Sequence, residues 1–278
     1  MEADVEKGER SLNIDSPCSQ GPKEALQMSF LSNTDREWEK FGKSDPYFGV
    51  VSHDKFLKVN LTDRNKEEFF ESGSRYVDDL LGKIKHHVSP AFTVKKALDF
   101  GCGVGRLTIP LANVAQEVAG LDVSDSMLSE ARKNCDARSI GNVSLFKSDD
   151  SLSALKEKYD LIHSFIVFQH IPVTRGERIF ENLLEHLEND GVCVVHFTYS
   201  SRDQTRNRLV SRIKNLVPFS GNLINLMKGK KFLSPQMQMN TYDLNRLFFT
   251  IQTAGVRNSF IEFTDHGGQL GVVAFFQK

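Results

Sequence analysis

The sequence predicts an α/β fold built on a mostly parallel sheet with helices on both faces. Three observations carry this. Short apolar runs alternate with helical patterns through the second half of the chain; a glycine-rich turn follows the first run; and the last two runs are joined by a tight turn. The apolar runs are "KKALDF" (95–100), "EVAGLDV" (117–123), "NVSLFKS" (142–148), "YDLIHSF" (159–165) and "GVCVVHFTY" (191–199). Helical stretches at 105–115, 125–137 and 175–188 separate them, a length that suits parallel crossover units. "SFIEFTD" and "GVVAFFQK", linked by "HGGQL", read as a closing hairpin, so one of those two strands runs antiparallel to its neighbour.

Composition divides the rest. Residues 1–25 are polar and charged, with few large apolar groups, which predicts a disordered tail. Residues 26–94 read as a helical N-terminal cap. In it "EEFFESGSRYVDDLLGKI" lines up Phe69, Phe70, Tyr76, Val77, Leu80, Leu81 and Ile84 near one helical stripe. Pro46 and Gly49 mark "SDPYFGVV" as a loop. Residues 95–278 form the sheet domain, interrupted at about 200–235 by an insert after the fifth strand. Between Ser200 and Lys231 that insert carries eight Lys and Arg against the single acid Asp203, interleaved with apolar residues. Such a segment predicts a lid over a pocket, with docking on an anionic membrane or substrate as the alternative.

Bulk properties narrow the function classes. A formal net charge of −1 supplies no global field toward nucleic acid. Cys18, Cys102, Cys135 and Cys193 show neither a CxxC nor a Cys/His cluster, so no metal site or disulfide framework is expected. The absence of an apolar leader at the start and of a run of membrane-spanning length predicts a cytoplasmic protein.

The chemistry concentrates in "ALDFGCGVGRL" (97–107). Glycines after a parallel strand let the backbone turn tightly and approach a ligand closely. A dinucleotide wants G-x-G-x-x-G; here Gly101, Gly103 and Gly105 space as G-x-G-x-G. Asp99, at the strand end, disfavours a pyrophosphate and attracts an ammonium or sulfonium group. Asp122, at the tip of the second strand, stands where an acid accepts both ribose hydroxyls, while Asp125 caps the helix that follows. Asp149 or Asp150, in "SDD", stands where a carboxylate can accept from an adenine amino group.

Together "ALDFGCGVGRLTIPLA", "GLDVSDSML", "KSDD" and "YDLIHSFIVFQHIP" resemble the successive motifs of class I S-adenosylmethionine-dependent methyltransferases, from about Lys95 to Tyr199. The resemblance implies a Rossmann-like three-layer sandwich with a seven-stranded sheet whose last strand is antiparallel. It implies S-adenosyl-L-methionine as cofactor. Asp99, Gly101, Cys102, Gly103 and Gly105 would then face its methionine part and Asp122 its ribose, with Val123 and Met127 near the adenine and Asp149 at the amino group. Ser164 and Phe165 would line the methionine side. Cys102 reads as a small residue that fits the loop.

Methyl transfer needs in-line alignment, exclusion of water and, for an acceptor that must lose a proton, a general base. Candidates above the carboxyl ends of the strands are His170, Tyr199 and His266, whereas His196 reads as a core residue. Tyr47, Phe48, His53 and Gln169 are candidates for the acceptor pocket. No N-P-P-Y, D-P-P-Y or Pro-Cys signature points to a nucleic-acid acceptor, so a small molecule is expected, methylated at oxygen rather than nitrogen or carbon. A lipid-linked or protein acceptor, an NAD(P)-dependent oxidoreductase and an inactive binding module are the competing readings.

Overall fold

Alternation along the central strands sends apolar side chains to both faces of one sheet, and two apolar cores result. In the computed structural model, which describes residues 34–202, 237–256 and 258–278, all described residues fall within one compact unit. The chain runs α1 (Thr34–Ser44), α2 (Pro46–Val50), a 3-10 turn (Asp54–Phe56) and α3 (Asp63–Lys83), which a π-type turn (Ile84–Val88) extends. Then follow β1 (Lys96–Phe100), α4 (Thr108–Ala112), β2 (Glu117–Asp122), α5 (Asp125–Ala137), β3 (Val143–Lys147) and β4 (Tyr159–Ser164). After a 3-10 turn (Phe168–His170) come α6 (Val173–Glu185), β5 (Leu187–Ser201), α7 (Leu244–Thr253), β6 (Asn258–His266) and β7 (Gln269–Gln277).

The seven strands are ordered β3-β2-β1-β4-β5-β7-β6. β1 to β5 pair in parallel, and β7 enters antiparallel between β5 and β6. On β5, Val192 and Val194 join the core made with Phe69, Phe70 and Val77 of α3; Cys193, Val195 and Phe197 join the opposite core with Ile179, Phe180 and Leu183 of α6. Phe41, Tyr47 and Phe56 belong to the first core, so α1 and α2 share it with the sheet. Among the described residues no helix is long and apolar enough to cross a membrane. The expectations for residues 1–25 and for the insert from 203 onward lie outside the described residues.

Four local expectations are corrected. The helix expected over 105–115 begins only at Thr108, because Gly101, Gly103 and Gly105 all have positive φ and keep the chain in turns through Leu107. "DPYFGVV" contains the short helix α2 in place of a loop: Pro46 sits at its first turn, where a missing N–H costs nothing. Asp125 does not cap α5. Ser124 does, its hydroxyl accepting from Met127 N–H, and Asp125 is the first helical residue, paired with Lys147. β5 extends four residues earlier and two later than the apolar run alone suggests, held at its start by Tyr159 opposite Leu187.

Candidate functional site

The glycine turn leaves the carboxyl end of β1 with φ of +79° at Gly101, +54° at Gly103 and +88° at Gly105. A Cβ on Gly101 would lie 2.3 Å from Val167, and one on Gly103 would lie 2.6 Å from Val50. The segment after β4 and the end of α2 therefore pack directly onto this turn. Gly73 of α3 plays the reciprocal part, since a Cβ there would meet the carbonyl oxygen of Arg106 at 2.1 Å.

Asp122 joins the turn to the second strand. Its Oδ2 accepts from Gly103 N–H at 3.0 Å and its Oδ1 from Ser124 N–H at 2.9 Å. Burial pushes this carboxyl up to about 6, against the lowering effect of those N–H groups. Glu39 of α1 approaches from above: it accepts from Ser124 Oγ at 2.8 Å, Ser126 N at 3.1 Å and Ser126 Oγ at 2.7 Å, at the N-terminus of α5. Burial raises the Glu39 carboxyl, but the Ser126 and Ser124 hydrogen bonds more than offset this and hold it at about 2. Met127 is buried, and Val123 half-buried, beside this junction.

Asp99 faces inward. It is 3% exposed; Oδ2 accepts from Thr108 Oγ1 at 2.6 Å, and Oδ1 lies 3.0 Å from His163 Nδ1. His163 Nε2 lies 3.1 Å from the Tyr76 hydroxyl. Burial raises the Tyr76 hydroxyl, which stays protonated and donates. The chain thus runs from the Tyr76 hydroxyl through His163 Nε2 and Nδ1 to Asp99. It ties α3 to the ends of β1 and β4. Cys102 is buried against Gly120, and burial pushes its thiol well up, so it is no nucleophile here.

Beyond β4, Ile166 has φ of +59°, a strained conformation for a β-branched residue. The bend turns Phe165 toward Tyr76, His196 and His266, at ring-centre distances of 4.7, 5.4 and 5.7 Å. His196 is fully buried; Nε2 lies 3.0 Å from Thr264 Oγ1, and Nδ1 has no partner among the described residues. Burial, with His266 and His170 nearby, drives it down to about 3, so it is neutral. His266 is exposed at the tip of β6, and burial of part of its ring lowers it as well. Ser164 Oγ, at the end of β4, is buried and has no hydrogen-bond partner among the described residues.

The other expected residues separate. His170 is buried under Trp38, at a ring-centre distance of 5.1 Å. Its Nδ1–H donates to the Gln238 carbonyl at 2.7 Å and its Nε2 accepts from the Gln169 amide at 3.1 Å. Gln169 also accepts from Thr198 Oγ1 and, through its carbonyl, from Asn240. These two residues knit the 3-10 turn after β4, β5 and the 237–240 segment together. Tyr199 falls at a register shift of β5 between Thr198 and Ser200. Asp149 is exposed and accepts from the backbone N–H groups and hydroxyls of Ser151 and Ser153, which hold it at about 2; Asp150 pairs with Arg175 and Arg178. Tyr47 is buried, its hydroxyl bonded to Glu130 and Asn134, so it anchors α2 to α5. Phe48 packs on the first core, and His53 is exposed as the cap of the 3-10 turn.

Sequence reasoning missed Tyr76, Thr108, His163, Arg106 and Glu39. A histidine inside the apolar run "YDLIHSF" was a signal, because a buried polar group requires a partner. Glu39 had none: it lies in a different element, far along the chain from α5.

Residues 97–191 match the family model described as a methyltransferase domain. Magnesium-protoporphyrin O-methyltransferase of Synechocystis is 36% identical over 86 residues, which cover 31% of this chain and 37% of that protein. The tRNA/tmRNA (uracil-C(5))-methyltransferase of Campylobacter lari is 26% identical over 220 residues, 72% of this chain and 55% of that one. The matches therefore span from 37% to 55% of these curated relatives' length. Among solved structures, magnesium protoporphyrin IX methyltransferase from Synechocystis with bound SAH superposes with a TM-score of 0.56 at 17% identity, covering 92% of this chain and 99% of that one. An N-methyltransferase from Bradyrhizobium japonicum in complex with S-adenosyl-L-homocysteine gives 0.51 at 14%, covering 89% and 99%. These likenesses establish a shared fold.

Proposed function

We propose that this chain, whose residues 97–191 match the family model described as a methyltransferase domain, transfers a methyl group from S-adenosyl-L-methionine to a small-molecule acceptor, at oxygen. The observation that carries this reading is Asp122. It stands at the tip of β2 with its carboxylate against the glycine turn, where an acid can accept the ribose hydroxyls. The residues present fit the cofactor: three glycines of positive φ make a turn without side chains, and Asp122 stands against its backbone.

When bound, the cofactor supplies a sulfonium-activated methyl group. The chain's own contribution is alignment and shielding. Gly101 and Gly103 give close backbone approach; Asp122 fixes the nucleoside; Phe165, with its ring neighbours, forms the apolar wall. For proton removal His266 is the better placed group, being exposed, neutral and at a strand end, whereas His170 already uses both ring nitrogens.

An RNA acceptor is the second reading, favoured by the match to the uracil methyltransferase. Calorimetry with S-adenosylmethionine, S-adenosylhomocysteine and NADH tests the cofactor; stabilisation by NADH alone overturns the proposal. Incubation with methyl-labelled cofactor and either a cell extract freed of macromolecules or total RNA separates the acceptors, and label in RNA alone favours the second reading.

A further inference from the structure

A second concavity, of about 360 Å³, opens between the N-terminal helices and α5. None of its lining residues belongs to the glycine turn, to Asp122 or to the cluster around Phe165. Four lysines reach it from four different elements: Lys43 from the end of α1, Lys58 from the loop after the first 3-10 turn, Lys66 from the first turn of α3 and Lys133 from α5. Among the described residues Glu130 is the one acid in the lining.

Those charges are not balanced. Glu130 is shared by Lys133, at 3.1 Å, and Lys66, at 3.9 Å, and it also accepts from the Tyr47 hydroxyl. Lys43 lies 3.3 Å from Glu39, whose carboxylate is already held by Ser124 and Ser126. The Lys58 ammonium has no ion-pair partner among the described residues; Asp45, outside the lining, accepts from the Lys58 backbone N–H at 3.0 Å. Four cations thus answer to two carboxylates. Gathering like charges on one concave surface is unfavourable and focuses a positive potential there, which attracts a small anion. The arrangement is also pre-formed. The Asp45 hydrogen bond holds the Lys58 loop, and Thr62 caps α3 just ahead of Lys66. Buried Tyr47 ties α2 to Asn134 of α5, its ring centre 5.0 Å from the Lys66 ammonium.

We propose that this concavity binds the phosphoryl group of a small phosphorylated molecule, at a site independent of the methyl-transfer reading. A phosphate monoester carries close to two negative charges at neutral pH and can accept from several ammonium groups at once. Pro46, Phe56 and Leu61 in the same lining offer an apolar surface to the organic part of such a ligand. A nucleic-acid backbone is the poorer match. The lysines line one concavity around an acid, and the chain's net charge of −1 supplies no extended field for a polyanion.

The test is calorimetric titration of inorganic phosphate and of phenyl phosphate, at constant ionic strength, into wild type, Lys58→Gln, Lys133→Gln and Glu130→Gln. Both probes are expected to bind wild type at a single site. Each lysine variant loses about 3- to 10-fold in affinity for them, the scale of a partly exposed charged contact. Glu130→Gln gains by a similar factor, because the acid leaves the lining while the glutamine oxygen still accepts from the Tyr47 hydroxyl. Should Lys133→Gln fold poorly for want of its ion pair, Lys58→Gln has no such pair to lose and carries the test. Absence of binding to wild type overturns the proposal, as do affinities that are the same in all four proteins. Displacement of phosphate by S-adenosylhomocysteine also overturns it, since the anion would then sit in the cofactor site. A short oligouridylate that binds more tightly than phenyl phosphate, and is weakened by the same lysine variants, makes the surface one for nucleic acid and overturns it too. The outcome does not depend on methyl transfer: phosphate binding can fail while S-adenosylhomocysteine binds, and the reverse.

Discussion

Asp122 is the residue on which the cofactor reading turns, and its raised pKa gives that reading a pH signature. The folded state holds this proton more tightly than the unfolded chain, so Asp122 contributes stability that is lost as pH rises through about 4 to about 6. Ligand binding runs the other way, because only the carboxylate accepts from both ribose hydroxyls. The thermal stabilisation by S-adenosylhomocysteine is expected to grow between pH 5 and pH 7, and a flat profile contradicts the ribose assignment. Asp122→Ala is expected to weaken binding by about 10- to 100-fold in calorimetry, the scale of charge-assisted hydrogen bonds. Asp122 was legible in the sequence because strand position and spacing determine it. The partners of Asp99 were not, because Thr108, His163 and Tyr76 reach it from three separate elements.

At the scale of elements, the packing of α1 and α3 onto the sheet's carboxyl edge gives two further tests. Glycine to alanine inside a helix ordinarily stabilises by about 0.5–1 kcal/mol. At Gly73 the sign reverses, since the new Cβ meets the Arg106 carbonyl at 2.1 Å. Gly73→Ala is expected to cost about 1–3 kcal/mol in urea unfolding, and a gain in stability refutes this close approach. Glu39 caps a neighbouring helix across the interface. Glu39→Gln is expected to cost about 1 kcal/mol near neutral pH. Held at about 2, Glu39 contributes stability above its ordinary pKa that is lost as pH falls toward 2, so wild type and variant converge in acid; a constant gap contradicts the account. Periodicity showed α3 and α5 clearly. It missed α2, because Pro46 signals equally a break and a first helical turn.

For the whole molecule the decisive feature is that β7, the last strand in sequence, is not the last in space. It lies between β5 and β6, with Val273 opposite His196 on one side and Glu262 on the other. A proline there removes a donor and cannot be accommodated in a strand paired on both edges. Val273→Pro is therefore expected to abolish cooperative folding, seen as loss of the thermal transition. A transition within a few degrees of wild type instead places β7 at an edge.

The sequence by itself determined the α/β class, the strand and helix alternation, the glycine turn and the acids at the tips of β1 and β2, because each follows from local spacing. Tertiary structure alone decided that Asp99 and His170 are turned inward, that Glu39 reaches the N-terminus of α5, and that β7 is inserted. Those outcomes depend on which distant side chains meet as the sheet closes and the helices pack upon it. Spacing along the chain carries no record of that meeting, whereas burial forces each polar group to find its partner or to wait for a ligand.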